Sequence, residues 1–380
     1  MKTPIPRLVI PVLIVCFGSL QNAHAVSPPP DGGYPNFTTA EGTKALQNLT
    51  TGAANTAVGW YSLFANTTAS FNTAIGAGAL DLNTARNNTA VGAAALLLNT
   101  TGNDNTANGV AALAYNGIGT QNTANGAFAL FANTTGSTNT ASGDSSLTNN
   151  TTGSFNTASG VNALLFNTTG SDNTAIGQTA LFNSTGDSNT AIGDGAGFNA
   201  TTGSGNVYVG AGIFGVAGES NACYIASIFG QTSVNGIPIL INSDNKLGTA
   251  TSSKRFKQDI KPVNEASEAL FSLKPVTFRY KKEIDPAGTS QFGLVAEEVE
   301  KVNPDLVVRD KEGKPYTVRY EQVNAMLLNE FLKEHRTVQA QQKKIEALEA
   351  EMKEQKALIQ KVSAQLEVTK PAPQTALNNQ

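Results

Sequence analysis

Apolar and polar positions recur on a fixed period through more than half of the chain. From Asn55 to Gly210 the pattern Asn-Thr-Ala-x-Gly-x-x-Ala-Leu-x-x-Asn-Thr-Thr-Gly-x-x, or a near copy, appears ten times at steps of 17 or occasionally 16 residues. Its first Asn stands at Asn55, Asn72, Asn88, Asn105, Asn122, Asn139, Asn156, Asn173, Asn189 and Asn206. Leu63, Leu80, Leu96, Leu113, Leu130, Leu147, Leu164 and Leu181 hold the ninth place, and a degenerate earlier copy starts at Thr39-Ala40-Glu41-Gly42. One unit is too short to bury an apolar face alone, so the period predicts a solenoid whose coils stack Ala and Leu on one another.

The remaining places of the repeat read locally. Gly at the fifth place supplies a bend in each coil, and Asn-Thr-Thr-Gly is a turn by composition. Runs such as Thr-Ala-Ile-Gly and Ala-Leu-Leu-Leu are expected as strands, and the first-place Asn as a ladder of stacked amides. The two 16-residue steps, Asn72 to Asn88 and Asn173 to Asn189, put a deletion in a turn. A core this thin leaves apolar area uncovered unless other chains pack on it, which points to an oligomer.

Past Gly218 the period fades, and 225–242 reads as a few strands leading outward. Composition then changes at Thr249-Ala250-Thr251-Ser252-Ser253-Lys254-Arg255-Phe256-Lys257-Gln258-Asp259-Ile260. Residues 263–273 look helical and 275–281 a strand. Residues 292–299 read as a strand running into a helix stopped by Asn303-Pro304, and 306–309 and 316–319 as a hairpin. A long helix follows. Phe331, Val338, Ile345, Met352, Ile359 and Leu366 occupy one heptad position and Leu327, Leu348 and Val362 part of the other, interrupted by Glu334, Gln341 and Gln355. The expected segments are 1–25 signal peptide, 26–218 solenoid, 219–251 β connector, 252–322 small α+β domain, 323–368 coiled-coil helix and 369–380 disordered tail.

Charge narrows the partners. Residues 26–250 hold ten acidic side chains against Lys44, Arg86 and Lys246. With no basic stripe on the repeats, a nucleic-acid partner is not expected. The N-terminus reads as a secretory signal, with Lys2 and Arg7, an apolar run over 8–20 and Ala23-His24-Ala25 before the cut. Cys16 lies in that run, but Val15 before it is wrong for a lipoprotein signal. The mature chain then keeps Cys223 alone, read as a small buried residue. No later segment is apolar and long enough to span a bilayer. Secretion or display at a bacterial cell surface is the expectation. The Asn-x-Ser/Thr sequons at Asn66, Asn99, Asn133 and Asn167 share one repeat position, which a turn explains better than glycosylation. His24 lies in the signal and His335 on the long helix, so no His cluster can hold a metal, and no metal site and no cofactor is expected.

Two resemblances follow from these residues. The Asn-Thr-Ala-Ile-Gly-x-x-Ala grammar over 38–218 resembles the head repeats of trimeric autotransporter adhesins, which implies a trimeric left-handed β-roll. That family's usual repeat is shorter, and its C-terminal membrane barrel has no counterpart in this sequence. Residues 252–341 resemble the intramolecular chaperone domain of phage endosialidases and related tail spikes. The match rests on 252–260, on Leu273-Lys274-Pro275-Val276 with Phe278 and Tyr280, on 292–299 and on Val318-Arg319-Tyr320-Glu321-Gln322-Val323. The second resemblance implies self-cleavage by a Ser just after the scissile bond and a Lys five residues on: here Ser252 and Lys257, with the cut between Thr251 and Ser252. Ser253 stands where many members of that family carry Asp, so Ser253 with Lys257 remains an alternative pair.

A serine hydroxyl becomes a useful nucleophile when a base removes its proton, and an uncharged lysine amine is such a base. Residues five apart do not face each other on a helix and lie far apart on a strand, so the pair needs a bend or a subunit interface. The leading expectation is a secreted homotrimeric fibre whose C-terminal domain guides assembly and then cuts itself away, a single-turnover serine endopeptidase without cofactor. The alternative is a Thr-rich solenoid binding ice or a glycan surface, with Thr67, Thr84, Thr100, Thr134, Thr151 and Thr168 in its turns and the C-terminal domain serving only to trimerise. A glycan-cleaving spike is disfavoured, because Asp104, Asp172 and Asp187 occupy variable turn places rather than forming a carboxylate pair.

Overall fold

A computed structural model describes residues 35–368 of the 380-residue chain. The expected signal segment 1–25, with Cys16, and the tail 369–380 lie outside the described residues. The chain divides into two compact units after Thr232. It is mainly β, a solenoid followed by small strand pairs and a long C-terminal helix.

The first unit is a parallel sheet of twelve three-residue strands in sequence order, from Thr39–Glu41 to Cys223–Ile225, hence eleven turns of chain between first and last. The first ten strands are the Thr-Ala-x of one repeat each, and the last two are Val207–Val209 and Cys223–Ile225; like residues pair: Thr56 with Thr73, Ala57 with Ala74, Val58 with Ile75. From Thr56–Val58 to Thr190–Ile192 the middle Ala points inward and is fully buried, while the flanking residues face out. The last strand continues the ladder beyond Gly218.

Only one of the two expected strands per coil forms. The Ala-Leu-Leu-Leu run is a turn, and the reason lies in its backbone. The ninth-place Leu sits at φ near 50°, as at Leu96 and Leu113, and the residue two before it is also left-handed, as at Ala94 and Ala111. Such alternation cannot make a strand, since L-residues adopt that region singly. It does turn every ninth-place Leu into the lumen, where all eight are fully buried. Bonds to neighbouring coils still run along this side, for example Leu96 N–H to Ala112 O at 2.9 Å.

Two glycine columns permit the close stacking. A Cβ on Gly109, at φ +141°, would meet Gly126 O at 2.4 Å, and one on Gly119 would meet Gly136 O at 2.3 Å. The Leu column ends at Leu181. In the next coil Gly197 takes that place, because the Tyr208 ring fills the lumen there: a Cβ on Gly197 would lie 2.8 Å from both Leu181 and Tyr208.

Two columns of fully buried Asn flank this apolar strip. The first-place Asn forms the expected ladder: Asn122 Oδ1 accepts from the backbone N–H of Asn139 at 2.9 Å, and Asn122 Nδ2 donates to Gly136 O at 2.9 Å. The second column is the Asn of the turn. Asn116 Nδ2 donates to Asn99 Oδ1 at 2.7 Å and to Gly119 O at 2.8 Å, and Asn133 Nδ2 to Asn116 Oδ1 at 2.7 Å. The sequon residues Asn66, Asn99, Asn133 and Asn167 are therefore interior, with amides spent on the fold.

In the second unit, Ile239–Ile241 pairs with Leu247–Thr249, Val276–Phe278 with Gln291–Gly293 and Val307–Arg309 with Pro315–Val318, all antiparallel. A 3-10 helix spans Asn264–Ser272. Helix α1 (Ala296–Val302) ends at Asn303, whose side chain caps the next short turn, and helix α2 runs from Tyr320 to Val368. A small core of Val299, Leu306, Val307, Val318, Val323 and Met326 joins them. Cys223, read from sequence as buried, is an exposed free thiol: it falls at an outward place of the last strand, where earlier coils carry Thr.

Candidate functional site

The bend that the Ser/Lys pair requires is a short 3-10 turn over Lys254–Phe256. Ser253 precedes it as the N-cap residue, Phe256 N–H donates to Ser253 O at 3.0 Å, and Lys257 N–H donates to Lys254 O at 3.1 Å. Extended backbone resumes at Lys257, φ −121°. This single turn shortens the path between residues 252 and 257. The Lys257 ammonium donates to Ser252 Oγ at 3.2 Å, while the Ser253 side chain makes no capping bond. Thr251, Ser252 and Lys257 are all exposed, two to eight residues past the strand that ends at Thr249.

The surroundings are basic and partly apolar. Lys254, Arg255 and Lys257 crowd one turn, and the Arg255 guanidinium lies 4.6 Å from the centre of the Phe256 ring. Phe256 and Ile260 are exposed at 58% and 60%, as are Phe271 and Phe292 at 76% and 84%. These four large apolar side chains are left uncovered in the single chain.

The motifs downstream meet through specific contacts. Leu294 N–H donates to the Tyr320 hydroxyl at 3.0 Å, joining the 292–299 motif to the start of α2. Ser267, fully buried, donates to the Glu330 carboxylate and accepts from Asn329 Nδ2 at 2.7 Å, and Lys333 reaches Glu330 at 2.8 Å. The Lys333 ammonium and the Ser267 hydroxyl hold the Glu330 carboxyl below the usual carboxylate range. This knot fastens the 3-10 helix to α2. Sequence gave no sign of it, because its members are 62 and 63 residues apart and belong to no motif.

Among the described residues no three His, Cys, Asp or Glu side chains come together, and no helix is long and apolar enough to cross a membrane. No curated protein and no solved structure matches this chain. Residues 252–308 do match the model of a peptidase family described as the chaperone of endosialidase, and the match begins at Ser252. The chain is thus a fibre-like β-solenoid followed by a segment similar to the chaperone of endosialidase family.

Proposed function

We propose that this protein is an exported fibre, built as a homotrimer, whose C-terminal domain aligns three chains and then releases itself by cutting between Thr251 and Ser252. The observation that carries the reading is the 3.2 Å contact between Lys257 Nζ and Ser252 Oγ at the start of the family match. In the free-amine form Lys257 takes the Ser252 hydroxyl proton as Oγ attacks the Thr251 carbonyl carbon. The Thr251–Ser252 peptide bond breaks as its nitrogen gains a proton, leaving Thr251 esterified on Ser252 Oγ. Water then hydrolyses the ester to a Thr251 carboxylate and a fragment with Ser252 at its free N-terminus. Exclusion of water favours an uncharged lysine amine, so the exposed dyad works once a second copy covers its basic, apolar surroundings. Cutting is thereby coupled to assembly.

Intact mass with N-terminal sequencing of the full chain tests this. The wild type yields a fragment starting at Ser252, whereas Ser252→Ala and Lys257→Ala stay uncut. Processing at the same bond in both alanine variants refutes the dyad.

A second reading, binding to an ordered surface, gains from one structural observation. Thr39, Thr56, Thr73, Thr89, Thr106, Thr123, Thr140, Thr157, Thr174 and Thr190 form an in-register column on the outward face of the sheet. This column, rather than the turn Thr residues, is the regular array. Thermal hysteresis of the purified solenoid decides it; none at high concentration removes the ice-binding case.

A further inference from the structure

The coil from Asn72 to Asn87 is one residue short, and the missing residue is a Thr of the turn: Asn83-Thr84-Ala85-Arg86 stands where its neighbours have Asn66-Thr67-Thr68-Ala69-Ser70 and Asn99-Thr100-Thr101-Gly102-Asn103. The shortened turn opens a polar cleft of about 470 Å³, lined by Thr68, Ser70, Phe71, Thr84, Arg86 and Thr101 among others.

The deletion also strands hydrogen-bond donors. In unshortened stretches the first turn Thr donates its N–H to the next coil, as Thr50 does to Thr67 O, Thr100 to Gly117 O and Thr134 to Thr151 O. Among the described residues Thr67 N–H has no such acceptor. Three places further along a full-length coil, the N–H of most coils meets a side-chain oxygen of the next: Ala53 meets Ser70, Ser137 meets Ser154 and Ser171 meets Asp187, and in the short coil Arg86 meets Asn103. Ser70 N–H is aimed by the same geometry at residue 86, but a guanidinium accepts nothing. The other short coil, before Asn189, carries Asp187 at this place and satisfies Ser171 at 2.8 Å. Among the described residues, the first short coil is the one that combines unpaired N–H groups with a cation.

That cation stands alone. Arg86 is the sole Lys or Arg between residues 45 and 245, it is exposed, and among the described residues no ion pair holds it. Beside it Phe71 presents a ring that is 64% exposed, and Thr68, Thr84 and Thr101 add hydroxyls. A guanidinium and backbone N–H groups recognise an oxyanion, an exposed ring stacks on a sugar face and hydroxyls meet its OH groups. We infer that this cleft is a binding site for an acidic saccharide, with the carboxylate or sulfate on Arg86 and the Ser70 N–H and a sugar ring over Phe71.

Two variants of the full chain test the inference without threatening the fold. Arg86→Ser installs the residue that the preceding coil carries here as Ser70, restoring an acceptor for the Ser70 N–H. Insertion of Thr between Thr84 and Ala85 rebuilds the 17-residue coil and fills the cleft. Calorimetric titration uses oligogalacturonate as the carboxylate probe, sulfated dextran as the sulfate probe and neutral dextran as control. The wild type is expected to bind one of the two anionic probes at least tenfold more tightly than neutral dextran, and both variants to lose at least tenfold of that affinity. The preferred probe tells carboxylate from sulfate. Equal binding of all three polymers, no binding of any, or unchanged affinity in Arg86→Ser would overturn the site. Because cleavage at Ser252 is read separately by mass, failure here leaves the self-processing claim untouched.

Discussion

At the scale of single residues the solenoid depends on polar groups that have no access to water. An amide buried without a partner costs about 1–3 kcal/mol, so a column of Asn is stable only while each member finds the next. The turn-side column ends at Asn167, because Ser184 follows where Asn is expected, and Asn167 Oδ1 is left buried without a partner. Ser184→Asn should supply the missing donor, and the other short coil already accommodates Asn83 at this place. It is expected to raise stability by about 1 kcal/mol in thermal or denaturant unfolding. Asp81 is the opposite case. It sits where Phe64 and Leu97 stand in adjacent coils, has a buried oxygen without a partner, and burial pushes its carboxyl up to about 6 from 3.8. The native state then holds a proton that the unfolded chain gives up near pH 4. Stability falls as pH rises through about 4 to 6, with the full cost present above that window. Asp81→Leu should flatten this slope and stabilise the protein at pH 7 by on the order of 1 kcal/mol.

At the scale of elements, the repeat period and the lining Leu and Ala were legible because each recurs at one place. The strands at Thr-Ala-x, the first-place Asn ladder, the hairpin around Gly313 and the long helix were equally so. The turn at Ala-Leu-Leu-Leu was not: its Leu composition looks like strand, and the left-handed Leu that makes it a turn is imposed by stacking between coils rather than by local preference. For the same reason the second Asn column read only as turn residues and not as a buried ladder, since Asn, Thr and Gly favour turns in isolation. At the proposed dyad, sequence named the pair and its need for a bend; the 3-10 turn that brings Lys257 Nζ to 3.2 Å from Ser252 Oγ follows from contacts local to 253–257. The heptad seam of α2 leaves Phe331, Val338, Ile345, Met352 and Ile359 between 48% and 67% exposed in one chain. A 49-residue helix with one bare apolar seam is stable when copies share that seam. The double variant Ile345→Asp with Ile359→Asp is expected to shift sedimentation from an assembly to single chains and to slow release of the Ser252 fragment by at least tenfold. Unchanged sedimentation would argue that α2 is a solvated helix with no partner.

At the scale of the whole molecule, a chain of near-identical coils has a registry problem. Three copies sliding by one repeat present almost the same residues to each other, so pairing in the solenoid alone specifies alignment weakly. In the proposed function a non-repeating domain, with its own helix seam and its own uncovered Phe256, Phe271 and Phe292, is what levels the chains before the coils close. On that proposal, cleavage at Ser252 removes the guide once the solenoids have packed. This order of events, assembly first and cutting second, is the core of the account. The most direct measurement is the native mass of full-length Ser252→Ala, in which assembly proceeds and cleavage cannot. The account predicts a species of three intact chains; a folded single chain at working concentration would contradict it.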